Sequence, residues 1–470
     1  MAWTGSAKAA SQFLAWVSTL LVARVLLPQD YGIATMASVL FWASQSLGEF
    51  GLGAALIRGR DLSSDDIAQI NSVCLLFGLA STAVICAAAG PAAVFFATPE
   101  LQNVILVSSL TLLISGFRTV PSSLLQRELQ FRRLSLNETM GAAAQAGSVL
   151  ILAYLGFGYW SLVLGNLAGG LAGTVALVAS RPHRFAIPRD ETVRRVTSFG
   201  REVTVSRFAW YGMFNADFVV SGRVLGKGPL GSYTFAWTLA SLPVEKISLL
   251  VTRVSLPFFA AVQHNKAALR RYLLAMTEGL ALVTFPAAIG IGLLAGEVVH
   301  LALGPRWAPA VLPLRVLAIV APLRSVATLL PQMATVLGRT RFAMYHAMGA
   351  ALVMTGSFII GSRWGTVGVA AAWAIAYPLV LVPLLLMILR EIETPVRAYL
   401  SVLRPALTAS ALMTLAVVAT RAFMSARMGM GARTATAVLV GAVTYGLALW
   451  TLDRDRVMAT YRFVRRGRSE

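Results

Sequence analysis

Arg118 and Arg324 are the residues of this sequence best suited to binding chemistry. Each lies inside a long apolar run, and each heads the same polar series. Ser122 and Gln126 follow Arg118 by four and eight residues, and Thr328 and Gln332 follow Arg324 at the same spacing. Residues four apart share a helix face, so each set reads as a polar stripe turned away from lipid. A guanidinium is a planar fork of donors that fits phosphate oxygens bidentately. Two such forks would form a phosphate clamp. The plainer reading is that each arginine snorkels to the cytoplasmic interface or neutralises a carboxylate.

Other charges fall inside apolar runs, where an ionisable group faces a cavity or a partner. Lys246 and Arg253 are seven apart, stack on one face, and could extend the same basic lining. Arg207 and Asp217 could line a cavity or neutralise each other. Glu49 is a possible proton carrier or a helix-end carboxylate near Arg58. Lys8, Arg201 and Arg315 complete the cations, against Glu202, Glu245, Glu278 and Glu297. The set is more basic than acidic. It therefore suits an anionic ligand better than a cationic one.

Nothing in the chain reads as a catalytic constellation. His183, His264, His300 and His346 fall in separate segments. Cys74 and Cys86 are twelve apart in one expected helix, about 18 Å of rise, and cannot bridge. There is no phosphate-cradling glycine loop followed by lysine and no HExxH. No metal or cofactor is expected, and the chain reads as a non-enzyme.

The elements that must position these residues are membrane helices. Hydrophobic residues make up 57% of 470, charged residues 13%, and mean hydropathy is +0.72. Lipid leaves backbone polar groups unsatisfied, so apolar runs of about 20 residues must be helical. The expected fold is an all-α polytopic membrane protein of about fourteen transmembrane helices. Spans are expected near 5–26, 32–57, 71–97, 103–126, 137–156, 158–180, 197–222, 229–260, 272–300, 308–337, 342–361, 365–389, 402–422 and 432–452. None opens as a cleavable signal peptide. Gly165 and the Gly169-Gly170 pair read as small residues for close helix packing. Trp307, Trp364 and Trp450, near loop ends, read as interfacial belts.

The chain also repeats itself. Arg24, Val25, Leu26, Gly32 and Thr35 recur 199 residues later as Arg223, Val224, Leu225, Gly231 and Thr234. Pro99, Arg118, Val120, Leu124 and Gln126 recur 206 residues later as Pro305, Arg324, Val326, Leu330 and Gln332. Repeats of this kind build transporters from two related halves with a substrate path between them. The expected layout is a six-helix lobe over 1–181, a cytoplasmic linker over 182–196 and a second six-helix lobe over 197–390. A second linker over 391–404, two additional helices over 405–452 and a basic cytoplasmic tail over 453–470 follow. With the N-terminus inside, cytoplasmic loops and tail hold 24 of the 40 Lys and Arg residues and the opposite loops hold 8. That is the positive-inside bias, with both termini cytoplasmic. The net charge of +20 then reflects topology and anionic headgroups rather than nucleic acid.

Several motifs carry a family likeness. Leu21 through Gly32 (LVARVLLPQDYG) resembles the opening LARLLTPEDFG signature of bacterial polysaccharide and lipopolysaccharide (O-antigen) flippases. These belong to the multidrug/oligosaccharidyl-lipid/polysaccharide exporter superfamily. Glu49 through Ile57 resembles the following DFGLGAALI, with glutamate in place of the commoner aspartate. Gln126 through Arg133 is similar to the loop ERELRFRRL, and Gly304-Pro305-Arg306-Trp307 to the turn LGPKW. The resemblance runs in order over residues 3–390. It implies a two-lobed exporter in the bacterial inner membrane that moves a polyprenyl-pyrophosphate-linked oligosaccharide between leaflets. Polymerase and glycosyltransferases of the same pathway would be partners, and membrane lipids its surroundings. Arg118, Arg324, Lys246 and Arg253 would then hold pyrophosphate, with Gln126, Gln332, Arg207, Asp217 and Glu49 as further cavity residues. Two rivals remain. A multidrug/cation antiporter of the superfamily would need a more acidic cavity, and a membrane polymerase or ligase would need a sizeable outer loop.

Overall fold

The computed structural model describes residues 18–41, 56, 63–189, 201–424 and 428–452, leaving the side chains of 201–210, 213 and 253 undescribed. All regular structure among the described residues is helical. The chain divides into two compact units, Met1–Thr234 and Phe235–Glu470.

In the first unit, α1 covers 18–25 and α2 covers 28–41. Then come α3 (Ser64–Phe95), α4 (Glu100–Arg127), α5 (Phe131–Tyr154), α6 (Tyr159–Ser180), α7 (Arg201–Leu225) and the start of α8 (Lys227–Ala261). Local chemistry explains the helix starts. Pro28 supplies a ready-made helical φ at the first position of α2, and the Asp30 carboxylate reaches back to the Leu27 N–H at 2.8 Å. Helix α3 opens on a full capping box. The Asp66 N–H donates to Ser63 Oγ at 3.1 Å, and the Asp66 carboxylate accepts from the Ser63 N–H at 3.0 Å.

Small residues set how closely these helices approach. A Cβ on Gly78 would lie 2.9 Å from the Leu112 carbonyl oxygen, and one on Gly116 2.9 Å from that of Cys74, so α3 and α4 pack backbone to backbone. Helices α5 and α6 do the same. A Cβ on Gly165 would lie 2.2 Å from a Val149 methyl, and one on Gly169 2.5 Å from Gln145 Cβ. Gly170, by contrast, has room.

The repeat has a physical counterpart within this unit. A Cβ on Gly32 would fall 1.8 Å from the carbonyl oxygen of Lys227, and one on Gly231 1.7 Å from that of Pro28. Pro28 and Lys227 are also 199 residues apart, so the contact is reciprocal, as around a twofold axis. One turn further on, the hydroxyls of the repeat mates Thr35 and Thr234 lie 3.2 Å apart. The segment after α6 runs extended along α3. The Arg184 carbonyl accepts from Asn71, the Ala186 N–H donates to Ser72 Oγ, and the Arg189 N–H donates to Gln69.

The second unit holds the rest of α8, then α9 (Lys266–Leu293), α10 (Ala295–Ala302), α11 (Val311–Ala327), α12 (Leu329–Val336), α13 (Thr340–Gly361), α14 (Gly365–Glu391), α15 (Val396–Phe423) and α16 (Met430–Leu452). Val244, Ala288 and Ala321 join α8, α9 and α11 in one cluster. Leu294, Met413, Val417 and Ala437 form another, which seats α15 and α16. The Tyr445 hydroxyl adds a bond to the Leu282 carbonyl at 2.7 Å.

The span expected over 308–337 stands as one apolar stretch, Pro305–Val336, with a break in its helix at Thr328. Pro331 has no N–H for the Ala327 carbonyl, and its ring crowds that oxygen. The span expected over 272–300 stops at Leu293 and resumes as the short α10, a region loosened by Gly290, Gly292 and Gly296. Trp307 is not an interfacial belt residue. The 3-10 turn Pro305–Ala310 tucks its ring inside, 1% exposed, edge-on to Phe235 at 4.4 Å. Among the described residues, eight stretches are long and apolar enough to cross a bilayer, and one of them, Thr340–Glu391, contains both α13 and α14.

Candidate functional site

Arg324, near the end of α11, is buried in a cage of aromatic rings. Its guanidinium carbon lies 3.8 Å above the centre of the Trp237 ring and 5.5 Å from that of Trp373. Its Nη1 donates to Ser241 Oγ at 3.1 Å. Trp237 and Trp373 touch each other at 4.9 Å, and Trp373 packs in turn on Phe358 and Tyr377. Trp237 and Ser241 come from consecutive turns of α8, and Trp373 and Tyr377 from consecutive turns of α14. The helical four-residue spacing is what brings each pair to one side of the arginine. An indole face is electron-rich, so a guanidinium stacked on it is stabilised by cation–π attraction.

Below Arg324, a run of hydroxyls joins α8 to α11 and α12. Ser248 and Ser325 lie 3.1 Å apart, and the Ser255 hydroxyl donates to the Gln332 side-chain carbonyl. Thr328, expected to continue the stripe, bonds back to the Ser325 carbonyl where the helix breaks.

Arg118 sits in other surroundings. It is half-buried on α4 and makes no hydrogen bond or ion pair with the described residues. Gln126 donates to Ser122 at 3.4 Å, so the lower part of the expected stripe is present. Lys246 is exposed on α8, next to the exposed Glu245. Arg253 lies on α8 and Arg207 on α7, but their side chains are outside the described residues, as is Glu49 altogether.

Asp217 is fully buried in the first unit. It accepts the Tyr233 hydroxyl at 2.7 Å and the Phe218 N–H at 2.9 Å. Tyr211, on the same helix, donates to the Val39 carbonyl at 2.7 Å. Glu297, expected as an intramembrane acid, lies in α10 and pairs with Arg421, which also donates to the Leu293 carbonyl at 2.6 Å. Among the described residues no three His, Cys, Asp or Glu side chains cluster as a metal site.

Sequence reasoning missed Trp237, Ser241, Trp373 and Tyr233. The only signal was a tryptophan in mid-helix, away from the loop ends where interfacial tryptophans gather.

The described site is thus a half-buried guanidinium on a polar helix face and a second guanidinium buried in an aromatic cage. A family model for "polysaccharide biosynthesis protein" matches residues 21–312. The chain belongs to that family. The chain is 26% identical to the teichuronic acid biosynthesis protein TuaB of Bacillus subtilis (strain 168), over 71% of this chain and 69% of that protein. It is 25% identical to the succinoglycan biosynthesis transport protein ExoT of Rhizobium meliloti (strain 1021), over 96% and 91%. Among solved structures, the lipid II flippase MurJ in its inward closed conformation superposes with a TM-score of 0.80, over 97% of this chain and all of that one. At 15% identity this likeness shows the fold alone.

Proposed function

We propose that this family member is a flippase of the bacterial inner membrane. It moves a polyprenyl-pyrophosphate-linked oligosaccharide from the inner to the outer leaflet, for lipopolysaccharide, capsule or exopolysaccharide assembly. The family match carries the reading, and the named biosynthetic and transport roles of TuaB and ExoT support it. About fourteen spans arranged as two six-helix lobes (1–181 and 197–390) alternate access, with 182–196 and 391–404 as linkers. Residues 405–452 add two further helices, 453–470 form the basic tail, and both termini are cytoplasmic.

The physical demand is plain. A pyrophosphate and a hydrophilic sugar must cross a medium that solvates neither, while the polyprenyl tail stays in the lipid. Of the candidate cations Arg118, Arg324, Lys246 and Arg253, the half-buried Arg118 is the one left open to a ligand. Gln126, Gln332, Arg207 and Glu49 would be its polar complement, while Arg324 and Asp217 are buried against partners of their own. Glycosyltransferases that build the lipid-linked sugar and a polymerase that consumes it are the expected pathway neighbours.

Reconstitution in liposomes with a labelled polyprenyl-pyrophosphate oligosaccharide tests this. Leaflet transfer by the wild type supports the reading. Exchange of an organic cation for protons or sodium, with no transfer of the lipid-linked sugar, would replace it with the antiporter.

A further inference from the structure

The two arginines occupy equivalent positions in the repeat, yet their helices differ at every equivalent turn above them. On α4, Ser108, Thr111, Ser115, Arg118, Ser122 and Gln126 share one face, and all six are half-buried. On α11 the equivalents of Ser108, Thr111 and Ser115 are Leu314, Leu317 and Ala321, all sealed in the core. The face that carries Arg118 is therefore open, and the face that carries Arg324 is closed.

The hydrogen bonds sharpen the contrast. Thr111 donates to the Ser108 carbonyl at 2.7 Å, and Ser115 to the Leu112 carbonyl at 2.7 Å. These hydroxyl protons are committed to their own helix, so what they turn outward is oxygen lone pairs. Such a surface holds water and offers an anion nothing. Arg118 is the strong donor on that face, and no described residue engages it. Arg324 has one guanidinium face covered by Trp237 and one terminal nitrogen on Ser241.

From this contrast we propose a division of labour, resting on the flippase reading above. Arg118, on a water-filled track along α4, is the guanidinium that meets the phosphates of the substrate. Arg324 is a positioning residue, whose charge is spent on the aromatic cage that ties α8, α11 and α14 together. The ligand class at Arg118 is a phosphoanhydride or phosphate ester.

The test starts from a Cys74→Ala/Cys86→Ser background in the full chain. Single cysteines are placed at Ser115 and Ser122 on α4 and at Leu317 and Ala321 on α11. Each is reacted with a membrane-impermeant thiosulfonate, with and without inorganic pyrophosphate. Rapid labelling at 115 and 122 is expected, with none at 317 and 321. Pyrophosphate should slow the α4 reactions several-fold, and Arg118→Ala should abolish that protection without lowering Tm. Arg324→Ala should lower Tm and leave the protection intact. Trp237→Ala should lower Tm alone, but add little on top of Arg324→Ala.

Equal labelling of both helices would overturn the proposal, as would protection that depends on Arg324 and survives Arg118→Ala. These readouts need no transport. A protected, Arg118-dependent track in a protein that moves no lipid-linked sugar would sink the flippase reading and keep the anion site.

Discussion

Gly231→Ala is the perturbation whose cost the structure fixes best. The new methyl would fall 1.7 Å from the Pro28 carbonyl oxygen, where non-bonded heavy atoms need roughly 3.5 Å. Both sides of the contact are backbone, so no side chain can rotate away, and the start of α8 must move from α2 by about 2 Å. Overpacking of this kind costs ~1–3 kcal/mol, and the full range applies where nothing can yield. The same displacement parts Thr35 from Thr234, now 3.2 Å apart, at ~1 kcal/mol. Against this, alanine is the better helix former by ~1 kcal/mol. The net is a loss of about 1–3 kcal/mol, or roughly 2–12 °C in Tm for a unit of this size. Gly170→Ala is the control. Its methyl would meet nothing nearer than Ile114 at 4.0 Å, so only the propensity gain remains and Tm should hold or rise. Thermal unfolding of the purified protein in detergent reads both. Because the two glycines face one crossing, Gly32→Ala added to Gly231→Ala should cost much less than the sum of the two singles. An unchanged Tm for Gly231→Ala, or strict additivity of the pair, would refute the reciprocal contact.

Other outcomes follow from single contacts. Tyr233→Phe removes one donor from the buried Asp217 carboxylate, which keeps the Phe218 N–H, and should cost ~1–2 kcal/mol in thermal or denaturant unfolding. Glu297→Gln removes the charge partner of Arg421 and should loosen α15 first, seen as faster hydrogen exchange there than in α13. Arg181→Glu should cost at most ~1 kcal/mol at this exposed pair, and Glu128→Arg on top of it should recover most of the loss. The Glu393 carboxyl is held below the usual carboxylate range by the hydrogen bond from Lys266 and then by its charge. A depressed value stabilises the fold above the ordinary carboxylate pKa and loses that stabilisation as pH falls through the lowered one. Proteolysis at 391–395 should therefore quicken on acidification in the wild type, and be fast at every pH in Lys266→Ala.

What the sequence made legible was whatever depends on neighbours along the chain. Hydropathy located the long helices from α3 onward but not the short α10 and α12 as separate elements, and the Arg118 stripe followed from a spacing of four. The break at Thr328 was within reach too, since Pro331 stood in view. What was not legible depends on residues far apart. No pattern in the chain says that Trp237 will lie over Arg324, 87 positions away, or that Arg421 will neutralise Glu297 at a separation of 124. Trp307 shows the same limit. Proximity to a loop end argues for an interface, but the tight turn at Pro305 and a waiting Phe235 decide against it.

Repetition in the sequence likewise marks shared geometry without fixing shared chemistry. The first unit ties the end of α4 to the end of α6 through Glu128 and Arg181. The second ties the end of α12 to the end of α14 through Arg339 and Glu391, again with Nε and Nη2 on one carboxylate oxygen. The start of α3 is held by Asp65 to Arg189, and the start of α9 by Lys266 to Glu393. All four positions carry opposite signs in the two units. An ion pair works equally well with its ends exchanged, so the link can persist while the residues invert. A guanidinium cannot be exchanged in this way, because its use depends on what surrounds it. Leu314, Leu317 and Ala321 close the space around Arg324, and Ser108, Thr111 and Ser115 leave it open around Arg118. On the division of labour proposed above, the same residue at the same point of the repeat is a brace in one unit and a ligand-binding group in the other.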